Sequence, residues 1–161
     1  MKIAIIYVSK HGTTEKVAVS IAEKLGESNE VELFPLTKNA TPNISDFEMV
    51  ILGSSIYAGQ ASKKLKTFCK KNEQVLLQKK TGLFVCGMEP NRAKRQKELE
   101  DAFPDVLSKN ALASGFLGGE FIFEQMNFFE RFIINRIAKT NESVSRIDRN
   151  AIEIFIKKLI V

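Results

Sequence analysis

Three short runs limit what this chain can become. "KIAIIYV" (2–8), "MVILGSS" (49–55) and "TGLFVCG" (81–87) are apolar over most of a strand's length. A strand with one wet face alternates apolar and polar residues, so continuous runs of this kind predict strands covered on both faces. Segments of helical period lie between them. Val17, Ile21, Ala22 and Leu25 give residues 13–26 an apolar face, with Gly26 as a stop. Residues 61–72 form a lysine-rich amphipathic helix carrying Leu65 and Phe68, and residues 91–102 a charged one. "EVELFPL" (30–36) alternates like an edge strand that Pro35 ends. "TKNATPNISDF" reads as a polar connection without a helix. "ALASGFLGGEF" (111–121) reads as one long, glycine-containing strand. Helices are expected at about 124–139 and 148–160, joined by the polar "TNESVSR".

Strands that alternate with helices predict a parallel sheet with right-handed crossovers and helices on both faces. The expected fold class is α/β, a doubly wound five-stranded parallel sheet with an extra C-terminal helical segment. The 161 residues fit a single domain, 1–161, with a full core. Five strands are compatible with either common doubly wound order. In both, the ligand sits at the carboxyl ends of the strands. The loops to read are therefore those after strands one, three and four: "SKHGTT", "SSIYAGQ" and "GMEPNR".

The first loop has neither the G-x-G-x-x-G of a dinucleotide fold nor the lysine of a P-loop. It has hydroxyls on Ser9, Thr13 and Thr14, a close-approach glycine at Gly12, and the N-terminus of a helix. Those groups make a phosphate cradle without a cationic side chain. Simple capping of the helix by Thr13 or Thr14 explains the same residues. In the second loop, Gly53 and Gly59 bracket small hydroxyls and Tyr57. That ring either lies flat against a planar ligand or packs on the next helix. The third loop holds Cys86 and Arg92 at the C-x5-R spacing of cysteine phosphatases. Glu89 would repel a phosphate there and Pro90 removes an N–H donor, so the loop reads better as backbone edging a heterocycle. No acidic pair follows strand one and no aspartate ends strand three, which excludes a magnesium-dependent receiver domain.

The net charge is +5, unevenly spread. Residues 63–97 hold 11 Lys/Arg against 2 Asp/Glu, leaving the rest of the chain acidic. A basic middle attracts an acidic substrate, an anionic membrane surface or nucleic acid, or is a pair of solvated helix faces. Two cysteines, Cys69 and Cys86, make no disulfide framework or metal site, and a cytoplasmic location is expected. The single histidine, His11, cannot anchor a catalytic triad, so no catalytic or metal-binding residue is expected.

Phosphate loop, aromatic loop and edge loop on one five-stranded sheet resemble the flavodoxin family over the whole chain. The resemblance implies FMN as cofactor. The family's T/S-x-T-G-x-T loop maps onto "SKHGTT", which implies phosphate binding by Ser9, Lys10, His11, Gly12, Thr13 and Thr14. Its second loop maps onto Ser54, Ser55, Ile56, Tyr57, Ala58 and Gly59 beside the isoalloxazine. Its third maps, by position alone, onto Gly87, Met88 and Glu89. The chain departs from plain flavodoxins in being basic and lacking tryptophan. Basic surroundings should raise the flavin's potential.

The Phe-rich stretch "EFIFEQMNFFERFIINRIAK" adds Phe121, Phe123, Phe128, Phe129 and Phe132. Met126, Phe129, Ile133 and Ile137 share a helical face, while Phe128 and Ile134 lie off it. The surplus would meet a hydrophobic substrate, a membrane surface or a second copy, or cover a broad core face. With "GSSIYAGQASKKLKTFCKKN" and "GFLGGEF", it resembles the branch of menaquinone-dependent protoporphyrinogen dehydrogenases. That implies electron transfer through FMN from a porphyrinogen to a quinone, with peripheral membrane contact at the inner face and no nucleic-acid partner. A generic flavodoxin electron carrier between protein partners and a non-redox binding module of the same fold are the alternatives.

Overall fold

The computed structural model describes residues 1–37, 40–121, 126–138 and 143–161. Five parallel strands form its centre: β1 (Lys2–Val8), β2 (Glu30–Pro35), β3 (Met49–Tyr57), β5 (Lys80–Cys86) and β6 (Ala113–Phe116). Their order is β2-β1-β3-β5-β6, the flavodoxin-like of the two doubly wound orders. A short β4 (Gln60–Ala61) turns back on β3 in antiparallel register. Every residue from Ile3 to Tyr7 is buried, as are Met49–Ser54 and Thr81–Cys86. Continuous burial explains why those runs show no alternation.

The helices cover both faces. α1 (Thr13–Gly26) and α7 (Arg149–Leu159) close one side with Val17, Ile21, Leu25, Ile152, Phe155 and Leu159. α2 (Lys63–Lys71), α3 (Glu73–Leu76), α4 (Arg92–Ala102) and α5 (Asp105–Asn110) close the other through Leu65, Phe68, Leu76, Leu99 and Leu107. The lysines of α2 and the charges of α4 mostly lie on solvated faces. At mid-sheet Gly53 pairs with Phe84 in register, and any Cβ at 53 would strike the Phe84 ring. α3 and α5 are too short for their period to show in the sequence.

One expectation needs correction. Residues 111–121 do not form a single strand. β6 ends at Phe116, the backbone passes through Gly118 at φ 82°, and β7 (Glu120–Phe121) leaves the sheet. β7 pairs antiparallel with β8 (Val144–Ser145) instead. A side chain at Gly118 would collide with the Arg146 carbonyl, and the positive φ favours glycine there anyway. The "TNESVSR" link thus contains a strand.

α6 (Phe128–Ala138) is the extra helical segment. Phe123, and the start of the helix expected from 124, lie outside the described residues. No described helix is long and apolar enough to cross a membrane.

Candidate functional site

All five parallel strands present their carboxyl ends to one edge, and a cavity of about 610 Å³ lies there. Its walls come from four loops. Ser9, Lys10, His11, Thr13 and Thr14 form one wall. Ser55, Ile56, Tyr57, Ala58 and Gly59 form a second, and Gly87, Met88, Glu89 and Pro90 a third. Thirteen of the fifteen residues expected from the sequence line this one space.

The two exceptions have structural roles. Gly12 caps α1 in the left-handed region at φ 88°, and its N–H donates to Ser9 Oγ at 3.0 Å. Ser9 Oγ also accepts from the Glu15 N–H at 3.4 Å, which ties the loop to the first turn of α1. Ser54 is fully buried and does not reach the cavity, contrary to expectation. Its hydroxyl accepts from the Ser62 N–H at 2.9 Å and donates to the Ser55 carbonyl at 3.0 Å. It therefore pins β3 to the start of α2.

Thr14 lies in the first turn of α1, where the backbone N–H groups have no intrahelical acceptor. Its Oγ1 is completely buried and has no hydrogen-bond partner. An orphaned buried hydroxyl is unfavourable by roughly 1–3 kcal/mol, and this one lies at a cavity wall beside a helix N-terminus, where an acceptor from outside the chain would satisfy it. The hydroxyl is near enough to Cys86 to oppose the rise of that thiol's pKa, but the pair falls short of a hydrogen bond. Burial still pushes Cys86 up to about 12. Arg92 is exposed and absent from the cavity wall. The C-x5-R spacing therefore has neither a thiolate nor a converging arginine.

The aromatic wall is a tight hairpin. Tyr57 pairs with Gln60, and the two residues between, Ala58 and Gly59, both have positive φ, 49° and 73°. That is the signature of a primed two-residue turn. Ala58 is the one non-glycine with positive φ among the described residues, a mild strain stored at the cavity. The Tyr57 ring already has a partner: Lys10 Nζ sits 3.3 Å from its centroid.

Sequence reasoning missed the fourth wall, formed by Gly119, Glu120, Met126, Val144 and Arg146. Gly119 backs directly on Gly87, and the Gly87 N–H donates to the Gly118 carbonyl at 2.9 Å. Glu120 accepts from Thr13 Oγ1 at 3.4 Å and from Ser145 Oγ at 3.0 Å, and pairs with Lys16 at 3.1 Å. Glu130 of α6 reaches His11 Nε2 at 2.7 Å and Lys10 Nζ at 3.6 Å. The signal for Glu130 was present in the sequence as a lone acid between phenylalanines.

Glu98 of α4 also lines the cavity, with Oε2 buried and unpartnered. Burial and the nearby Glu89 hold its carboxyl above the usual range, against Lys94 and Arg95. Arg95, Arg146 and Arg149 line an adjoining cleft of about 500 Å³ that shares Gly87, Met88 and Arg146 with the main cavity. Among the described residues, no cluster of His, Cys, Asp and Glu could hold a metal ion.

The family model described as "Flavodoxin domain" matches residues 4–148. No curated protein sequence matches the chain. Several solved structures are similar. Oxidised flavodoxin 1 from Bacillus cereus is 16% identical with a TM-score of 0.59, covering 99% of this chain and 97% of that one. A short-chain flavodoxin associated with a PDU bacterial microcompartment is 12% identical with a TM-score of 0.65, over 99% and 97%. The Fusobacterium nucleatum flavodoxin bound to flavin mononucleotide is 21% identical with a TM-score of 0.52, over 77% and 80%.

Proposed function

The chain belongs to the flavodoxin domain family, and from that premise we propose that it is an FMN-binding redox protein. The observation that carries the reading is the Thr14 hydroxyl, buried and unpartnered at the N-terminus of α1 inside the cavity. A phosphate monoester offers the acceptor that Thr14 lacks. Ser9, Lys10, His11, Thr13 and Thr14 would hold the phosphate, with Gly12 shaping the loop around it and the helix dipole adding to the hydroxyls. Ser55, Ile56, Tyr57, Ala58 and Gly59 would face the ring, and Gly87, Met88 and Glu89 its edge. The cavity volume is ordinary for a small-molecule site. FMN, when bound, supplies the electron-transfer chemistry, and the protein sets access and potential.

Aerobic purification followed by an absorbance spectrum tests this. The expected result is a yellow protein, or a colourless one that takes up added FMN in equimolar amount. A protein that does neither is no flavoprotein, and the fold then serves a non-redox binding module.

The finer reading is oxidation of a porphyrinogen with a quinone as acceptor. Two features support it over a generic carrier between protein partners. The cleft beside the cavity is lined by Arg95, Arg146 and Arg149 against a single acid, Asp148, which suits an acidic donor. Phe128, Phe129 and Phe132 are exposed on α6, which suits an apolar acceptor or the membrane surface that carries it. Anaerobic oxidation of protoporphyrinogen with menaquinone is the assay. Absence of turnover in an FMN-loaded protein leaves electron transfer between proteins as the function.

A further inference from the structure

Among the described side chains at the start of α6, the apolar ones face outward and an acid faces inward. Phe128, Phe129 and Phe132 are 86%, 69% and 52% exposed, whereas Glu130 is only 8% exposed. What α6 turns into the molecule at that point is a carboxylate. Asn127 Oδ1 accepts from the Glu130 N–H at 2.8 Å, so the acid is carried on a capped first turn. Its Oε2 reaches two residues of the first loop, His11 Nε2 at 2.7 Å and Lys10 Nζ at 3.6 Å. Lys10 in turn covers the Tyr57 ring at 3.3 Å.

The chain Glu130–Lys10–Tyr57 therefore spans both parts of the cavity. One end engages the side chains that would meet a phosphate. The other occupies the ring face on which a planar group would stack. A ligand carrying both a phosphate and a flat ring competes with Glu130 for Lys10 and His11, and with Lys10 for Tyr57.

We propose that Glu130 is a specificity-determining residue of this cavity: an internal carboxylate that holds Lys10 and His11 in place of a phosphate, so that entry of a phosphate-bearing ligand loosens α6. Linkage makes the effect reciprocal, since whatever draws α6 away frees the cavity for the same ligand. The exposed phenylalanines give α6 a surface through which a partner would act on the site. The inference rests on the FMN reading above.

The test compares apo wild type with Glu130→Gln, an isosteric change that removes the charge. FMN and riboflavin affinities are measured by fluorescence titration at low salt. The expected result is FMN binding tightened by at least roughly five-fold, the lower end of ordinary coupling, with a smaller change for riboflavin, which lacks the phosphate. Hydrogen exchange of the α6 amides in wild type should quicken when FMN is added. Equal or weaker FMN binding by Glu130→Gln overturns the inference. So does an equal gain for riboflavin, or α6 exchange that slows or stays constant. Failure of both proteins to bind FMN at all overturns the FMN reading, and this inference with it.

Discussion

The ammonium of Lys10 stands 3.3 Å from the centre of the Tyr57 ring, linking the loop after β1 to the hairpin after β3. The contact shows that the Tyr57 face is reachable from the cavity and attracts a flat or cationic neighbour. Tyr57→Leu keeps an apolar wall and removes the aromatic face. FMN affinity should fall roughly five-fold, since stacking adds about 1 kcal/mol beyond burial. Unchanged affinity in a fluorescence titration would remove Tyr57 from the ring site.

Thr14→Val should have opposite effects on the empty protein and on binding. The hydroxyl is buried without a partner, so an isosteric methyl relieves roughly 1 kcal/mol or more. The apo melting temperature should rise by about 2–4 °C for a chain of this size. FMN binding should weaken by at least roughly ten-fold, the loss of one hydrogen bond to a charged group. Paired melts and titrations check both signs. A variant that melts lower and binds equally well would show that the hydroxyl serves only the fold.

Gly119→Ala tests the junction of the third and fourth walls. Its Cβ would lie 2.6 Å from the Gly87 carbonyl oxygen and 2.8 Å from the carbonyl carbon, both backbone atoms. Backbone cannot rotate aside, so the loops must part. The expected destabilisation in urea is about 1–3 kcal/mol, typical of overpacking. Native-like stability would mean that the two loops are not in contact in solution.

The thiols should be silent in the native protein. Burial pushes Cys69 and Cys86 up to about 12, so almost no thiolate exists at pH 8. A disulfide reagent should label both only after denaturant is added. Prompt labelling of Cys86 in the folded protein would reopen cysteine chemistry at this loop.

Glu98 gives a pH dependence with a definite sign. Burial and the nearby Glu89 raise its carboxyl above the ordinary 4.5. The folded protein thus holds this proton more tightly than the unfolded chain. The contribution to stability is fully present below the ordinary value and is lost as pH rises through the folded one. Glu98→Gln should therefore melt higher than wild type near pH 7, with the advantage shrinking as pH falls toward 4. A difference that is constant across that range would contradict the raised carboxyl.

Most of the cavity lining was legible because the signals are local. A buried run followed by hydroxyls, glycine and a helix start places the first loop at a carboxyl edge. The same logic placed Tyr57 and Gly87. Ser54 lies inside because the continuously buried part of β3 ends with it, and only the residues from Ser55 onward reach the edge. The hairpin Ala58–Gly59 was not read, since Ala58 carries no sequence mark of positive φ. The long fifth strand was wrong because Gly118 reads equally well as a strand glycine or as a turn.

The sequence by itself determined which segments are buried on both faces, which helices cover them, and hence which loops share an edge. Burial follows from a residue's own polarity and the period of its neighbours, and both are written locally. Only the tertiary structure decided that Glu130 faces His11 across 119 residues of chain, that Glu120 meets Thr13, and that three phenylalanines of α6 stay outside. Those pairings depend on where β7 leaves the sheet and how α6 docks. Charge pairing is unmarked in sequence, because any acid can meet any base once the chain has brought them together.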